Sequence, residues 1–170
     1  MKFLALLLIL ALAALALWYF YPGKRLPDDT VIDRLLVLKS KRRMVAFSNG
    51  RPVKTYMIAL GGNPTGHKQF EGDRKTPEGI YAINDRNPNS AYHKNLGVSY
   101  PNEKDLAFAG MHGRSPGGDI KIHGIRNGRG WIGKFHRWKD WTLGCIAVTD
   151  AEIDELYRAV KADAVIEIRP

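Results

Sequence analysis

The chain opens on an unbroken apolar run, Phe3 to Tyr21, set between Lys2 and the group Pro22-Gly23-Lys24-Arg25. A helix of this length reaches about 28 Å at 1.5 Å per residue, close to a hydrocarbon thickness of about 30 Å. Cleavable signals carry a shorter apolar region, about 7–15 residues. Ala14-Leu15-Ala16 has the small-x-small form of a cleavage site, but Leu17 to Tyr21 prolong the run past it. The pattern therefore predicts an uncleaved signal anchor, a transmembrane helix over residues 1–21, with Trp18, Tyr19 and Tyr21 in an interfacial aromatic belt. A linker over residues 22–30 follows, with Pro27 and two aspartates. Basic residues flank both ends of the run, so charge does not choose its orientation. The export-like start favours an amino terminus inside the cytoplasmic membrane and a domain exported to the periplasm or cell-wall side.

From Val31 to Pro170 the apolar positions come in short stretches broken by turn residues, which predicts one mainly β domain over 31–170. Leu35 to Lys39 and Met44 to Phe47 are separated by the polar turn Lys41-Arg42-Arg43. Asn49-Gly50 then signals a hairpin into a third strand, Val53 to Leu60, whose later half is apolar on both faces. In Gly72 to Ile83, Thr76-Pro77 breaks any helix and Gly79 leads into a strand over Ile80 to Ile83. Asp85 to Lys94 reads as a polar loop, Leu96 to Tyr100 as a strand, Met111 to Gly118 as a glycine-rich loop and Asp119 to His123 as a strand. The signals then change period. Thr149-Asp150-Ala151-Glu152 has the form of a capping box, and Ile153, Leu156, Tyr157 and Val160 fall on one helical face. Ala164 to Ile168 closes the domain as a strand. The expected class is α+β, mainly β, of sandwich or barrel type with one clear C-terminal helix.

Composition changes the picture in two ways. The net charge is +9, and the part after residue 21 keeps 25 basic against 17 acidic side chains. Nucleic acid, anionic lipid or an anionic polymer such as cell wall would all suit that excess. The basic residues are dispersed and no nucleic-acid motif accompanies them, so nucleic acid is not an expected partner. The chain also has one cysteine, so it forms no internal disulfide, and an unpaired thiol in an exported protein hints at reactivity.

That cysteine, Cys145, follows Gly144 in the stretch Ile122 to Thr149, and His123 lies 22 positions upstream. A thiol at its ordinary pKa is mostly protonated and needs a base or a positive field to act as a nucleophile. His123 is the candidate base, and Arg126, Arg129, Lys134, Arg137 and Lys139 supply positive charge against a single acid, Asp140. Cys145 also sits beside Leu143, Ile146 and Val148, which suits a small buried hydrophobe in a core strand. His112, His123, His136 and Cys145 lack paired metal-ligand spacing, so neither a metal nor any other cofactor is expected.

Taken in order, four segments carry a resemblance. They are Gly72-Asp73 with Thr76-Pro77-Glu78-Gly79-Ile80-Tyr81, Leu96-Gly97-Val98-Ser99-Tyr100-Pro101, Ile122-His123-Gly124, and Thr142-Leu143-Gly144-Cys145-Ile146. Together they resemble the L,D-transpeptidase (YkuD-type) catalytic domain of cell-wall enzymes, across roughly Val31 to Pro170. The resemblance implies a β-sandwich-like fold of mixed sheets. It implies Cys145 as nucleophile, His123 as base, the Gly124 carbonyl holding the second ring nitrogen, and the N–H groups of Gly144 and Cys145 facing an oxyanion. The implied donor is a peptidoglycan stem tetrapeptide, which would leave a thioester on Cys145 for transfer to an amine. Trp131 and Trp141 are expected to pack on glycan or peptide, Arg137 to pair a stem carboxylate, and Thr142 to contact substrate beside the nucleophile. At least one of Trp131, Trp138 and Trp141 is expected to anchor the core.

The family usually carries histidine where this chain has Leu143 and arginine or asparagine where it has Ala147. The gap from His123 to Cys145 is also long, which predicts an enlarged lid. With water as acceptor the same site would be a carboxypeptidase or amidase. Thr142-Leu143-x-Cys145 is one residue short of a sortase signature, and Arg158 as a sortase arginine falls on the expected helix. The remaining alternative is a membrane-tethered module that binds cell wall without catalysis.

Overall fold

A computed structural model describes residues 2–21 and 23–170. Met1 and Pro22, the first residues expected of the anchor and of the linker, lie outside the described residues. Helix α1 (Lys2–Phe20) carries the apolar run and buries none of the 18-residue window Phe3–Phe20. It is long and apolar enough to be a membrane span or a signal sequence.

The remainder is a mixed α/β domain around one curled eight-stranded sheet. Its strands are β1 (Ile32–Leu38), β2 (Arg43–Ser48), β3 (Arg51–Met57), β4 (Gly79–Ser90), β5 (His93–Val98), β6 (Lys121–His123), β7 (Ile146–Ala147) and β8 (Val160–Arg169). They lie in the order β3-β2-β1-β8-β4-β5-β6-β7. The pairs β1–β8 and β6–β7 are parallel, and the other five are antiparallel. Of the sandwich or barrel expected, the structure has a single sheet curled round the core. Past the end of β3 the chain reaches the other edge of the sheet. Ala59 and Ala147 exchange backbone hydrogen bonds of 3.0 and 2.8 Å, and Leu60 O accepts from Thr142 N at 3.1 Å. That closure buries Ile58, Ala59 and Leu60 together, which explains an apolar stretch without alternation.

Period-2 patterning is kept where one face meets the core. On β8, Ala164, Ile166 and Ile168 are buried while Val165 is exposed and Glu167 only partly covered. The Asn49-Gly50 turn has both φ angles positive (49° and 74°), the backbone that a tight two-residue hairpin requires. Helix α3 (Asp150–Ala159) begins with the capping box of Thr149 and Glu152 and buries Ile153, Leu156 and Ala159.

Three expectations change. The polar stretch Asp85 to Lys94 is the end of β4 and the start of β5, not a loop. Pro88, which lacks a donor, sits where the β4–β5 register shifts between Asn87 and Ser90. A second domain helix, α2 (Glu103–Met111), follows Pro101. Its signal was local, since the Asn102 side chain accepts from Lys104 N and Asp105 N while Asp105 accepts from Asn102 N. Finally, Asp119 takes a left-handed φ of 59°, so the strand expected from Asp119 begins only at Lys121.

Glu155 on α3 pins the linker to the domain. Its carboxylate accepts from Leu26 N at 2.7 Å, from the buried Tyr56 hydroxyl at 2.7 Å and from Lys54 Nζ at 2.5 Å. Burial alone would raise its pKa, but the bonds from Lys54, Leu26 N and Tyr56 outweigh it and hold the carboxyl below its usual range. Glu155→Ala leaves the Tyr56 hydroxyl buried and unpaired and should lower stability in denaturant titrations by about 1–3 kcal/mol. A lowered carboxyl pKa stabilises fully above the ordinary carboxylate value and less as pH falls through the folded value. The gap between wild type and Glu155→Ala should therefore close in acid.

Candidate active site

His123 ends β6, and Cys145 stands one residue before β7. The two strands are parallel neighbours, with Ile122 opposite Ile146 and His123 opposite Ala147. Counting back two positions from Ala147 places Cys145 on the same face as His123, level with Lys121. Parallel neighbours cannot be joined by a tight turn and need a crossover of a dozen or more residues. The long gap from histidine to cysteine is that crossover. It carries a lid of two short 3-10 turns (Gly130–Trp138) kinked at Gly133.

His123 is buried, and its Nδ1 donates to Gly124 O at 2.7 Å. A carbonyl only accepts, so Nδ1 carries the hydrogen and Nε2 of the neutral ring is left as acceptor. The rings of Tyr92 and Trp141 close on the imidazole, with centroids 4.7 and 5.6 Å away. Burial pulls its pKa down, the Gly124 bond opposes the fall and the Lys121 charge adds to it.

Cys145 is half-buried, and its thiol donates to Asp119 O at 3.5 Å. Burial pushes its pKa up and Asp119 adds to the rise, while the Lys121 backbone and the charges of Lys121 and Lys68 work against it. Both shifts favour the neutral forms of the two groups. The cations that reach the thiol are Lys121 of β6 and Lys68, whereas the sequence led us to expect them from the lid. In the lid, Arg137 pairs with Glu152 at 2.5 Å, and Lys134 bonds the Trp18 and Tyr21 carbonyls at the end of α1 at 2.7 and 2.6 Å.

Three stretches of backbone converge at the turn before Cys145. Gly144 has φ +140°, and a Cβ there would lie 2.7 Å from Lys75 O and 3.1 Å from Ile120 Cδ1. A Cβ on Gly61, four residues past β3, would lie 2.2 Å from Arg74 O and 3.1 Å from the Gly144 Cα, and the Gly61 N–H donates to Thr76 Oγ1 at 3.1 Å. Asp73 holds this bracket by accepting from Gln69 N, Phe70 N, Lys75 N and Lys68 Nζ. The Gly72 to Ile83 stretch therefore shapes the nucleophile turn from below.

Thr142 is buried in that turn. Its hydroxyl donates to Cys145 O at 2.8 Å and accepts from Gly144 N at 3.1 Å. The side chain expected to touch substrate holds the turn instead. The Gly144 N–H can meet an oxyanion only if its bond to Thr142 is released. Of the other expected substrate contacts, Trp141 stands against His123, Arg137 is engaged by Glu152, and Trp131 lies on the outer surface, 76% exposed. Leu143 is 76% exposed beside the nucleophile, whereas Ala147 is fully buried against Ala59. His136 is buried in the lid with its ring edge-on to Trp141, and burial, helped by the Arg137 charge, lowers its pKa to about 4.

Tyr92, Asp119 and Lys121 also belong to the site. Tyr92 lay in the stretch read as a polar loop, and its one sequence signal is an aromatic residue among polar ones. Among the described residues no three His, Cys, Asp or Glu side chains gather as a metal-ligand set. A cavity of about 1340 Å³ lies between the end of α1, the segment before β1, β3 and α3, away from Cys145.

A family model described as the L,D-transpeptidase catalytic domain, YkuD, matches residues 32–168. The chain belongs to this L,D-transpeptidase family. Over 108 residues it is 32% identical to a putative L,D-transpeptidase, YafK, of Escherichia coli K12, a match covering 62% of this chain and 36% of that protein. Among solved structures it is similar to the helical cell shape determining protein Pgp2 of Campylobacter jejuni, with a TM-score of 0.62, 25% identity, and coverage of 83% of this chain and 48% of that one. It is also similar to Bd1075 of Bdellovibrio bacteriovorus, with a TM-score of 0.57, 25% identity, and coverage of 84% and 49%. The chain thus spans about a third to a half of the length of these relatives.

A neutral resting pair has a measurable signature. A raised thiol pKa means that the thiolate accumulates only above the ordinary cysteine range. Alkylation of Cys145 by iodoacetamide should therefore climb with pH to a midpoint above about 8.5, the free-thiol value. A plateau already reached near neutrality would indicate a thiolate–imidazolium pair.

Proposed function

We propose that this L,D-transpeptidase-family domain acylates Cys145 with a peptidoglycan stem tetrapeptide and passes the acyl group to an amine. The observation that carries the reading is His123, held with Nδ1 on Gly124 O and Nε2 free, one strand away from Cys145 and on its face. Nε2 takes the thiol proton as Sγ attacks the carbonyl of the third stem residue, a diamino acid. The tetrahedral adduct collapses to a thioester, and the imidazolium returns the proton to the departing amine of the terminal D-alanine. An acceptor amine then adds to the thioester, loses its proton to Nε2, and the thiol is regenerated as the new amide forms. Starting from a neutral pair, the step moves one proton and separates no charge beforehand, which suits a buried site. The family supports the cell-wall substrate, and the likeness to a cell shape determining protein supports placing the domain at the wall. We read α1 as an uncleaved anchor that holds the domain at the outer face of the cytoplasmic membrane. Its length, its exposed apolar surface and its aromatic end support that reading.

The purified chain, mixed with a disaccharide-tetrapeptide, should gain a tripeptide mass by intact-mass spectrometry and release D-alanine, and Cys145→Ala should show neither. His123→Ala should slow acylation by about 10²–10⁴-fold. His136→Ala should cost far less, since His136 reaches the base only through Trp141. With a stem-peptide amine added, a cross-linked product identifies a transpeptidase and free tripeptide alone a hydrolase. No adduct from a folded chain that still binds cell wall would leave only a binding module. Carbonate-washed membranes should retain the protein, and a soluble form starting near Leu17 would mean that α1 is a cleaved signal.

A further inference from the structure

We propose that the outer side of the lid is a bilayer-seating surface, built jointly with the last turn of α1, that rests on an anionic lipid headgroup layer. The proposal rests on the reading of α1 as a membrane anchor.

The contact between anchor and lid is specific. Phe135 of the lid stacks on Tyr19 with ring centroids 5.0 Å apart and meets Trp18 at 5.7 Å, and Trp138 sits edge-on to Phe135 at 4.8 Å. The Tyr19 hydroxyl donates to Trp131 O. Lys134 Nζ takes the carbonyls of Trp18 and Tyr21 at the helix end, where free acceptors and the negative pole of the helix favour a cation. Gly133 lets the two approach, because its φ is +49° and a Cβ there would lie 2.9 Å from the Tyr19 hydroxyl.

This contact sets the depth of the lid. With α1 spanning the bilayer, Trp18 to Tyr21 lie at headgroup level, just before the charges of Lys24 and Arg25. Lid residues within a side chain's length of Tyr19 must lie at the same level. The surface presented there has the chemistry of that layer. Trp131 and Trp138 are 76% and 72% exposed, and amphipathic rings of this kind favour the membrane–water boundary. Arg126, Arg129 and Lys139 are exposed around them, with no acidic residue from Ile125 to Lys139. Two carboxylates of α3 meet this segment, Asp150 accepting from Ile125 N and Glu152 pairing with Arg137, and the next acid in sequence, Asp140, is paired with Arg42. Such a cationic aromatic strip fits anionic phospholipid headgroups. Because the aromatic cluster is continuous with the anchor, a bilayer fits it better than a glycan strand. On the inner side, His136 packs on Trp141 and Trp141 on His123, so a seated lid is held over the candidate base.

The test is tryptophan quenching on the full chain in nanodiscs whose lipids carry a nitroxide near the headgroup or near the chain end. In the Trp18→Phe/Trp141→Phe variant, emission comes from Trp131 and Trp138. It should be quenched at least about twofold more by the shallow label than by the deep one. The quenching should be stronger in bilayers rich in phosphatidylglycerol than in phosphatidylcholine alone. Equal quenching in both would remove the anionic headgroup from the proposal. In the companion Trp131→Phe/Trp138→Phe/Trp141→Phe variant, Trp18 reports the anchor alone. Trp18 quenched while Trp131 and Trp138 are untouched would keep the anchor and overturn the seating surface. Trp18 untouched as well would overturn both. A change in Trp131 and Trp138 emission with disaccharide-tetrapeptide, and none with lipid labels, would reassign these rings to substrate.

Discussion

The parallel pairing of β6 with β7 is the constraint on which the rest of the site depends. It is a short ladder, Ile122 against Ile146 and His123 against Ala147, yet it places the only thiol of the chain on the face of a buried histidine. A parallel pair must be joined by a crossover. The lid is that crossover, so its presence is a consequence of strand direction. Its content is then free to vary, and here it carries aromatic and basic residues toward α1. The same pairing makes β7 an edge of the sheet, and the bond exchange between Ala147 and Ala59 covers that edge. This closure explains why position 147 holds a small residue, since a longer polar side chain would be buried against Ala59.

The electrostatics of the pair follow from burial more than from charge. Two of the positive residues near Cys145 in sequence are spent elsewhere, Arg137 on Glu152 and Lys134 on the end of α1, and Arg126, Arg129 and Lys139 are exposed. Desolvation then dominates both groups, lowering the imidazole pKa and raising that of the thiol. Both shifts favour the neutral forms, the imidazole and the thiol, over their ions. The bracket under Gly144 plays the complementary part. It holds the turn by backbone contacts and the Thr142 hydroxyl, which cannot titrate near neutrality.

The lid links the two ends of the molecule. A continuous path of rings runs from Trp18 and Tyr19 of α1 through Phe135 to the lid, and inside the lid from His136 through Trp141 to His123. The matched family covers residues 32–168, and the contact between α1 and the lid joins that domain to residues outside it.

Local signals in the sequence were enough for several elements. The apolar run of α1, the Asn49-Gly50 hairpin, the Thr149–Glu152 capping box and the closing strand over Ala164 to Ile168 depend on neighbours a few residues away, and all four are present, although Val160, read on the helical face, opens β8 instead. The order of four short segments was likewise sufficient to recognise the family and to single out Cys145 and His123. The Asn102–Asp105 box was equally local and went unread behind Pro101. Tertiary structure decided what depends on distant partners. Pro88 and the polar residues around it form strand because β5 supplies the ladder, and Ala59 pairs because Ala147 arrives from the far edge. Thr142 holds a turn because Gly144 and Cys145 fold back on its hydroxyl, and Lys134 caps a helix more than a hundred residues away in the chain. Short-range periodicity and capping are written into adjacent residues. Which side chain spends its charge or its hydrogen bond on which partner is settled only when the sheet closes.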